Sequence, residues 1–212
     1  MFTLTDLLRP FLILPLSAEQ GTKVATYLGL LLKWNAKISL TALRDPEQIV
    51  QRHFGESFLA AERAGVAEAS SLVDVGSGAG FPGLPMAIYA PATRVTLIES
   101  QQKKVAFLRE VVRALELKNV TVHAGRAQEV KLKSQMATMR AVEKFETILP
   151  VAASLLEPGG KLALLIGASQ IETAHKRLQN FTWMNPISVP ESRERIVLVG
   201  KDSAESPHAF RD

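Results

Sequence analysis

The chain has 212 residues, 47% of them hydrophobic, which is enough for one domain with a substantial core and a small extension. It has no cysteine, so disulfides, thiolate metal sites and a cysteine nucleophile are excluded, and its four histidines (His53, His123, His175 and His208) lack the spacing of metal ligands. Lys and Arg number 25 against 21 Asp and Glu, a net charge of +4 that suits a nucleic-acid partner without demanding one, and no run reaches the roughly 18 apolar residues of a membrane span.

Residues 1–66 read as a helical N-terminal extension packed on the core, and residues 67–212 as the main domain. The stretch from Phe11 to Ala18 has a faint signal-peptide look, but Asp6 precedes it, Arg9 is its lone basic lead and Pro15 interrupts it. It reads instead as the start of a helical segment in a cytoplasmic protein. Val24, Tyr27, Leu28, Leu31 and Leu32 fall on one stripe of a helix that Ser17, Glu19 and Gln20 begin. A second helix is predicted from near Pro46 to Ala64, with Ile49, His53, Ser57/Phe58 and Ala61 along one side and Gly65 at its end.

From residue 70 strands and helices alternate. Strands are predicted at 72–75, 94–98, 120–123, 137–141 and 161–166, with helices at 84–89, 101–117, about 143–156 (kinked at Pro150) and 171–179. Pro158-Gly159-Gly160 reads as a turn, and 182–189 with 195–200 as a terminal antiparallel hairpin. The alternation predicts an α/β fold: a doubly wound, mostly parallel sheet with helices on both faces, binding its ligand at the C-terminal strand ends.

The ligand is suggested by residues 72–83, Leu-Val-Asp-Val-Gly-Ser-Gly-Ala-Gly-Phe-Pro-Gly. A strand delivers Asp74, and Gly76, Gly78 and Gly80 then let the main chain approach a ligand closely. The segment Gly78-x-Gly80-x-x-Gly83 matches the dinucleotide fingerprint, but it starts late relative to the strand, and Pro82 removes a donor that a pyrophosphate would use. S-adenosylmethionine has no phosphate and carries a sulfonium and an amino group, so an acid such as Asp74 suits it. Glu99, at the next strand end, can accept hydrogen bonds from ribose hydroxyls, as either cofactor would require. The cofactor expected is S-adenosylmethionine, cradled by Asp74, Gly76, Ser77, Gly78 and Glu99. The plainer alternative is a glycine turn with two loop-capping acids.

An ordered set of stretches resembles one family over nearly the whole chain. These are Trp34-Asn35-Ala-Lys37-Ile-Ser-Leu40-Thr41, Arg52-His53 with Ser57, the glycine loop through Phe81-Pro82-Gly83, Lys103-Lys104-Val-Ala-Phe107-Leu108-Arg109, Arg126-Ala127-Gln128-Glu129, Arg140-Ala141 and Pro158-Gly-Gly160. The family is bacterial RsmG, also called GidB, the methyltransferases that modify guanine nitrogen 7 in 16S ribosomal RNA. The resemblance implies a class I, Rossmann-like methyltransferase fold, 16S ribosomal RNA or the small ribosomal subunit as partner, and no metal. It also implies cofactor contacts at Gly76, Phe81, Ala127, Gln128 and Arg140, a place for Arg126 near the reacting base, and an RNA-facing Arg195. The chain departs from the family pattern at Glu56 (usually Asp), Gln128 (commonly Glu), Met139 (usually small) and Ile166 (often Lys).

Guanine nitrogen 7 is an unprotonated lone pair at neutral pH, so its methylation needs orientation and no general base. An exocyclic-amine methyltransferase often carries Asn/Asp-Pro-Pro-aromatic after the fourth strand, where this chain has Thr138-Met139-Arg140-Ala141. Arg126 and Arg140 are therefore expected to position substrate rather than to deprotonate it. Arginine reads guanine through oxygen 6 and nitrogen 7 together, and a donor on nitrogen 7 would block transfer, so Arg126 is expected on oxygen 6 or a flanking phosphate. The alternatives are a surface pair of Arg126 with Glu129, and a salt bridge of Arg140 with Glu143 or Glu146. Lys103 and Lys104 are candidate RNA contacts on one helix, though such a run is commonly a solvated face. A small-molecule methyltransferase and a non-catalytic ribosome-associated binder remain as competing functions.

Overall fold

The computed structural model describes residues 3–141 and 144–203. Two short helical pieces open the chain: α1 (Leu4–Leu8), capped by Thr3, and a 3-10 turn over Arg9–Phe11. The next residues run extended rather than helical as expected, with Ile13 and Leu14 exposed. Helix α2 (Ala18–Asn35) starts where predicted: the Ser17 hydroxyl accepts from Gln20 N–H at 3.2 Å, and the Gln20 side chain accepts from Ser17 N–H at 2.9 Å. Its predicted stripe is the buried one, with Val24, Tyr27 and Leu31 fully inside.

The second predicted helix is three pieces in one run: α3 (Pro46–Ile49), a π-helical turn (Val50–Gly55) and α4 (Glu56–Ala64), ended by Gly65 in the left-handed region at φ 72°. The wide turn changes which side chains share a face. A regular helix would set His53 below Ile49; here Phe54 joins Ile49 in the core and His53 turns to a cavity wall.

The remaining elements alternate as predicted: β1 (Ser71–Val75), α5 (Gly83–Tyr89), β2 (Arg94–Glu99), α6 (Gln102–Ala114), β3 (Val120–Ala124), β4 (Ser134–Arg140), α7 (Phe145–Ser154, containing Pro150), β5 (Leu156–Gly167), α8 (Ile171–Arg177), β6 (Phe181–Trp183), β7 (Ile187–Ser188) and β8 (Arg195–Asp202). The sheet order is β3-β2-β1-β4-β5-β8-β6, with β7 also on β8. Strands β1 to β5 are parallel, and β8 returns antiparallel against β5. The predicted terminal hairpin is therefore β8 with an edge interrupted at Met184–Pro186. Pro158-Gly159-Gly160 lies inside β5 as a bulge, the register slipping between Ser134 and Met136, so the expected turn does not end the element.

Side chains alternate cleanly across the sheet. Leu72, Val95, Leu97, Ala163, Leu165, Val197 and Val199 face the N-terminal helices with α5 and α6, while Val73, Val75, Leu162, Leu164, Ile196 and Leu198 face α7 and α8. The chain reverses its winding between β1 and β4, which opens the crevice of a doubly wound sheet at their C-terminal ends.

Gly55 keeps the entry of α4 against the opening segment: a β-carbon there would lie 2.6 Å from Phe11 Cδ2 and 2.7 Å from Cγ, with Phe11 itself buried. Gly55→Ala is expected to lower unfolding free energy by about 1–3 kcal/mol despite its better helix propensity. A urea titration reads this, and an unchanged or raised midpoint contradicts it.

Candidate active site

The loop leaving β1 is held from below and from the side. Gly76 and Ser77 N–H both donate to Ile98 O at 3.0 Å, which continues the β1–β2 pairing into the loop. Gly78 N–H donates to Glu99 Oε2 at 2.9 Å, and Gln101 N–H donates to Glu99 Oε1 at 2.7 Å. Gly80 sits at φ 91°, and a β-carbon there would meet Leu84 Cδ1 at 2.4 Å and the Tyr27 hydroxyl at 2.6 Å, so only glycine fits. That hydroxyl, fully buried, donates to Ala79 O. By contrast, a β-carbon on Gly78 would meet little beyond Gly76 O at 3.8 Å, so the loop presents bare backbone to open space there.

That space is a cavity of about 730 Å³ over the C-terminal strand ends. One wall is the glycine loop with Phe81; another is Glu99, Gln101 and Lys104; a third is Arg126, Ala127 and Gln128, on the turn after β3. Arg140, at the end of β4, closes the side toward the N-terminal helices. Leu40 and Thr41, in the loop after α2, and His53 form a further wall, with Thr147 and Ile148 of α7 also lining the cavity.

Asn35 organises that wall. At the end of α2, its side-chain oxygen accepts from Leu40 N–H at 2.9 Å and Thr41 N–H at 3.0 Å, while its amide donates to Thr41 O at 3.0 Å and Leu43 O at 3.4 Å. The fixed Thr41 hydroxyl lies 2.7 Å from His53 Nε2. The imidazole stacks on Phe81 at 4.8 Å, and Phe81 stacks in turn on Tyr27 at 5.1 Å. Burial, reinforced by Arg140 and Arg52, pushes the His53 pKa down to about 3, so the ring is neutral at physiological pH. Its Nδ1 is buried without a partner.

Glu56 is almost fully buried and holds two arginines. Its Oε1 accepts from Arg195 Nε at 2.7 Å, and its Oε2 lies 3.2 Å from Arg140 Nη2. Arg140 Nη2 also donates to Arg52 O at 2.7 Å, whereas its Nη1 is buried and has no partner among the described residues. Burial lowers the Arg140 pKa and the Glu56 carboxylate opposes that.

These positions revise several expectations. Asp74 is not in the cavity wall: it lies beneath the loop, 1% exposed, with Oδ2 accepting from Gly83 N–H at 3.2 Å and Oδ1 unpartnered. It holds the loop's far end to β1. Arg195 turns inward to Glu56 and is only one-third exposed, so it is not a free RNA-facing cation. The Glu146 alternative for Arg140 is not found, since Glu146 pairs with Arg177 at 2.8 Å; the other, Glu143, lies outside the described residues. Arg126 is exposed; the Glu129 carboxylate accepts from its backbone N–H at 3.4 Å, and its guanidinium has no ion pair among the described residues. Lys104 reaches the cavity, and Lys103 is an exposed neighbour outside it. Thr41 and Glu56 carried no predicted role, although a glutamate between Phe54-Gly55 and Ser57-Phe58-Leu59 is an acid in a buried helical run, a signal readable in the sequence.

The site chemistry favours a nucleoside without phosphates. Gly78 N–H is already committed to a carboxylate where a pyrophosphate would need it, and Glu99 would repel such a group. Each Glu99 oxygen has one N–H and keeps further acceptor capacity for ribose hydroxyls, while exposed Gln128 can donate and accept at the cavity edge. Among the described residues, no three His, Asp or Glu side chains gather as metal ligands, and no helix is long and apolar enough to cross a membrane.

Fold and site together define a class I S-adenosylmethionine-dependent methyltransferase. Solved structures agree on the fold: a S-adenosylmethionine-dependent methyltransferase from Aquifex aeolicus matches with TM-score 0.59 and 17% identity over 74% of this chain and 94% of that one. TYW2 from M. jannaschii, in complex with AdoMet, matches with TM-score 0.56 and 18% identity over 78% of each chain. The family model of rRNA small subunit methyltransferase G (GidB) matches residues 20–196, and the chain belongs to that family. Curated relatives named ribosomal RNA small subunit methyltransferase G include one from Xylella fastidiosa (strain 9a5c), 38% identical over 89% of this chain and 91% of its own length. Another, from Roseiflexus sp. (strain RS-1), is 37% identical over 88% and 85% respectively.

Burial pushes the Asp74 pKa up to about 7, from 3.8, the Gly83 N–H offsetting part of the shift. The folded state then binds the proton more tightly than the unfolded chain, so this contribution to stability is complete below about pH 4 and is lost as pH rises to about 7. Asp74→Asn is expected to flatten the decline of the urea midpoint between these limits; an equally steep decline in the variant contradicts the assignment.

Proposed function

We propose that this enzyme transfers a methyl group from S-adenosylmethionine to nitrogen 7 of a guanosine in 16S ribosomal RNA. The observation that carries the reading is that no free base lines the cavity among the described residues. Glu56 is in two ion pairs, Glu99 accepts two N–H groups, Asp74 is buried beneath the loop, and His53 is held neutral with a pKa near 3. Among the described residues, an acceptor that must lose a proton would meet only carboxylates already engaged and a weakly basic imidazole. A purine ring nitrogen has none to lose.

Gly76, Gly78, Glu99, Ala127 and Gln128 hold the cofactor in this reading, which when bound supplies an electrophilic methyl group on a sulfonium. Its methyl group would pass to the nitrogen 7 lone pair, leaving the thioether product and a cationic purine, and the protein would need to move no proton. The protein's part is alignment, which is worth roughly 7–11 kcal/mol when the reacting atoms are held in line. Arg126 projects from the cavity rim and binds oxygen 6 or an adjacent phosphate, leaving nitrogen 7 bare. Lys104 and Lys144 line the same opening and suit the RNA backbone, with Lys103 beside them.

Incubation with labelled methyl donor and small-subunit RNA from a strain lacking this protein should place label on a single guanosine, as 7-methylguanosine. Label on an exocyclic amine, or none, overturns the reading. Arg126→Ala is expected to cut single-turnover methylation by roughly 10²-fold with cofactor Kd unchanged; a near-normal rate removes its role. Raising salt from about 50 to 200 mM should lower kcat/KM by at least tenfold, as for a protein contacting several phosphates.

A further inference from the structure

Among the described residues that line the cavity, two carry rings, His53 and Phe81. Phe81 is buried and both its faces are taken: Tyr27 stacks on it at 5.1 Å with planes 9° apart, and His53 at 4.8 Å with planes 29° apart. The rings form a column that starts in the core at Tyr27 and ends at the cavity with His53. Phe54 braces it from the side, meeting both Tyr27 and Phe81 edge-on at 5.0 Å. His53 itself is only half-buried, and Phe81 is the one ring it stacks on among the described residues. Thr41 lies 2.7 Å from its Nε2, so the imidazole is fixed by a hydroxyl on one edge and by Phe81 on one face. The π-helical turn over Val50–Gly55 interrupts a regular helix to put the ring there, and such turns recur at functional sites.

We propose that His53 is the platform on which the acceptor purine stacks, the base extending the column on the imidazole face turned from Phe81. The proposal rests on the RNA acceptor of the proposed function and adds a binding residue to it. In A-form RNA nitrogen 7 lies in a deep, narrow groove that side chains cannot read, so the form a cavity can take is an unstacked base. Proteins commonly hold such bases on aromatic side chains, histidine among them. Stacking uses the face of the purine and leaves its edge bare, so nitrogen 7 stays open while Arg126 takes oxygen 6 or a phosphate. The charge fits as well. Transfer leaves the purine cationic, and an imidazolium stacked on it would repel that charge, whereas a neutral ring does not. Burial beside Arg140 and Arg52 keeps the His53 ring neutral.

Two substitutions separate the ring from its hydrogen bond, read as single-turnover rates per folded site with RNA well below saturation. His53→Gln can keep the contact with Thr41 but has no ring, and is expected to slow methylation by roughly 10- to 100-fold, the scale of one lost base–aromatic stack. His53→Phe keeps a ring and gives up the hydrogen bond, and is expected to lose less than about fivefold. The Kd of the methyl donor, measured by calorimetry, should stay within about twofold in both variants, because the ring meets the acceptor. A near-normal rate in His53→Gln, or a rate in His53→Phe as low as in His53→Gln, overturns the proposal. So does a loss of donor affinity that matches the loss of rate, which would assign the ring to the donor. If either variant fails to fold, His53→Leu replaces the ringless variant and His53→Tyr the ringed one, with the same outcomes. An unaltered protein that binds methyl donor yet methylates no guanosine overturns the proposed function and this proposal together. Normal guanosine methylation by the unaltered protein, with a near-normal rate in the ringless variant, overturns this proposal alone.

Discussion

The structure depends on how the backbone of the glycine loop is satisfied. A loop that must present bare main chain to a ligand cannot bury its N–H groups in a helix or sheet, and unpaired buried donors are costly. Here neighbouring elements answer them: Ile98 O takes Gly76 and Ser77, Glu99 takes Gly78, and Asp74 takes Gly83. Two strands of the parallel sheet thus fix the loop before any ligand arrives. The same Glu99 also holds Gln101 at the start of α6, so loop, strand end and helix move as one piece.

The opposite wall is built by side chains from remote sequence. Asn35, Thr41 and His53 form one chain of hydrogen bonds, and Arg195, Glu56 and Arg140 form one chain of charges. The first ends on Phe81, whose ring links the two walls through Tyr27 and His53. The N-terminal helices are therefore part of the binding cavity as well as a cover for the sheet. With acids tied down and the imidazole neutral, the site orients an acceptor and leaves its protons alone.

Much of the fold was legible because it follows from periodicity. Apolar alternation located β1, β2 and β3 within a residue or two, and the Ser17–Gln20 box located the start of α2. What escaped were features that depend on tertiary context. The π turn over Val50–Gly55 has no periodic signature, and it decides whether His53 or Phe54 enters the core. Pro158-Gly159-Gly160 has turn composition, yet pairing with β4 continues through it as a bulge. Asp74 read as a ligand-facing acid because its position beside the glycines was visible while its rotamer was not; the strand end points it under the loop, against Gly83. Glu56 and Arg195 lie 139 positions apart, and no local pattern reports a pair at that separation.

Asn35 shows how narrowly the cavity wall is specified. Its amide uses both faces, accepting two backbone N–H groups on oxygen and offering nitrogen to two carbonyl oxygens. Asn35→Asp would exchange that nitrogen for an anionic oxygen of almost identical shape, now facing the carbonyls of Thr41 and Leu43. The loop would be pushed off its seat and the hydroxyl beneath the imidazole would drift with it. A change of one atom, on a side chain that does not itself line the cavity, would disturb the site while leaving the fold standing.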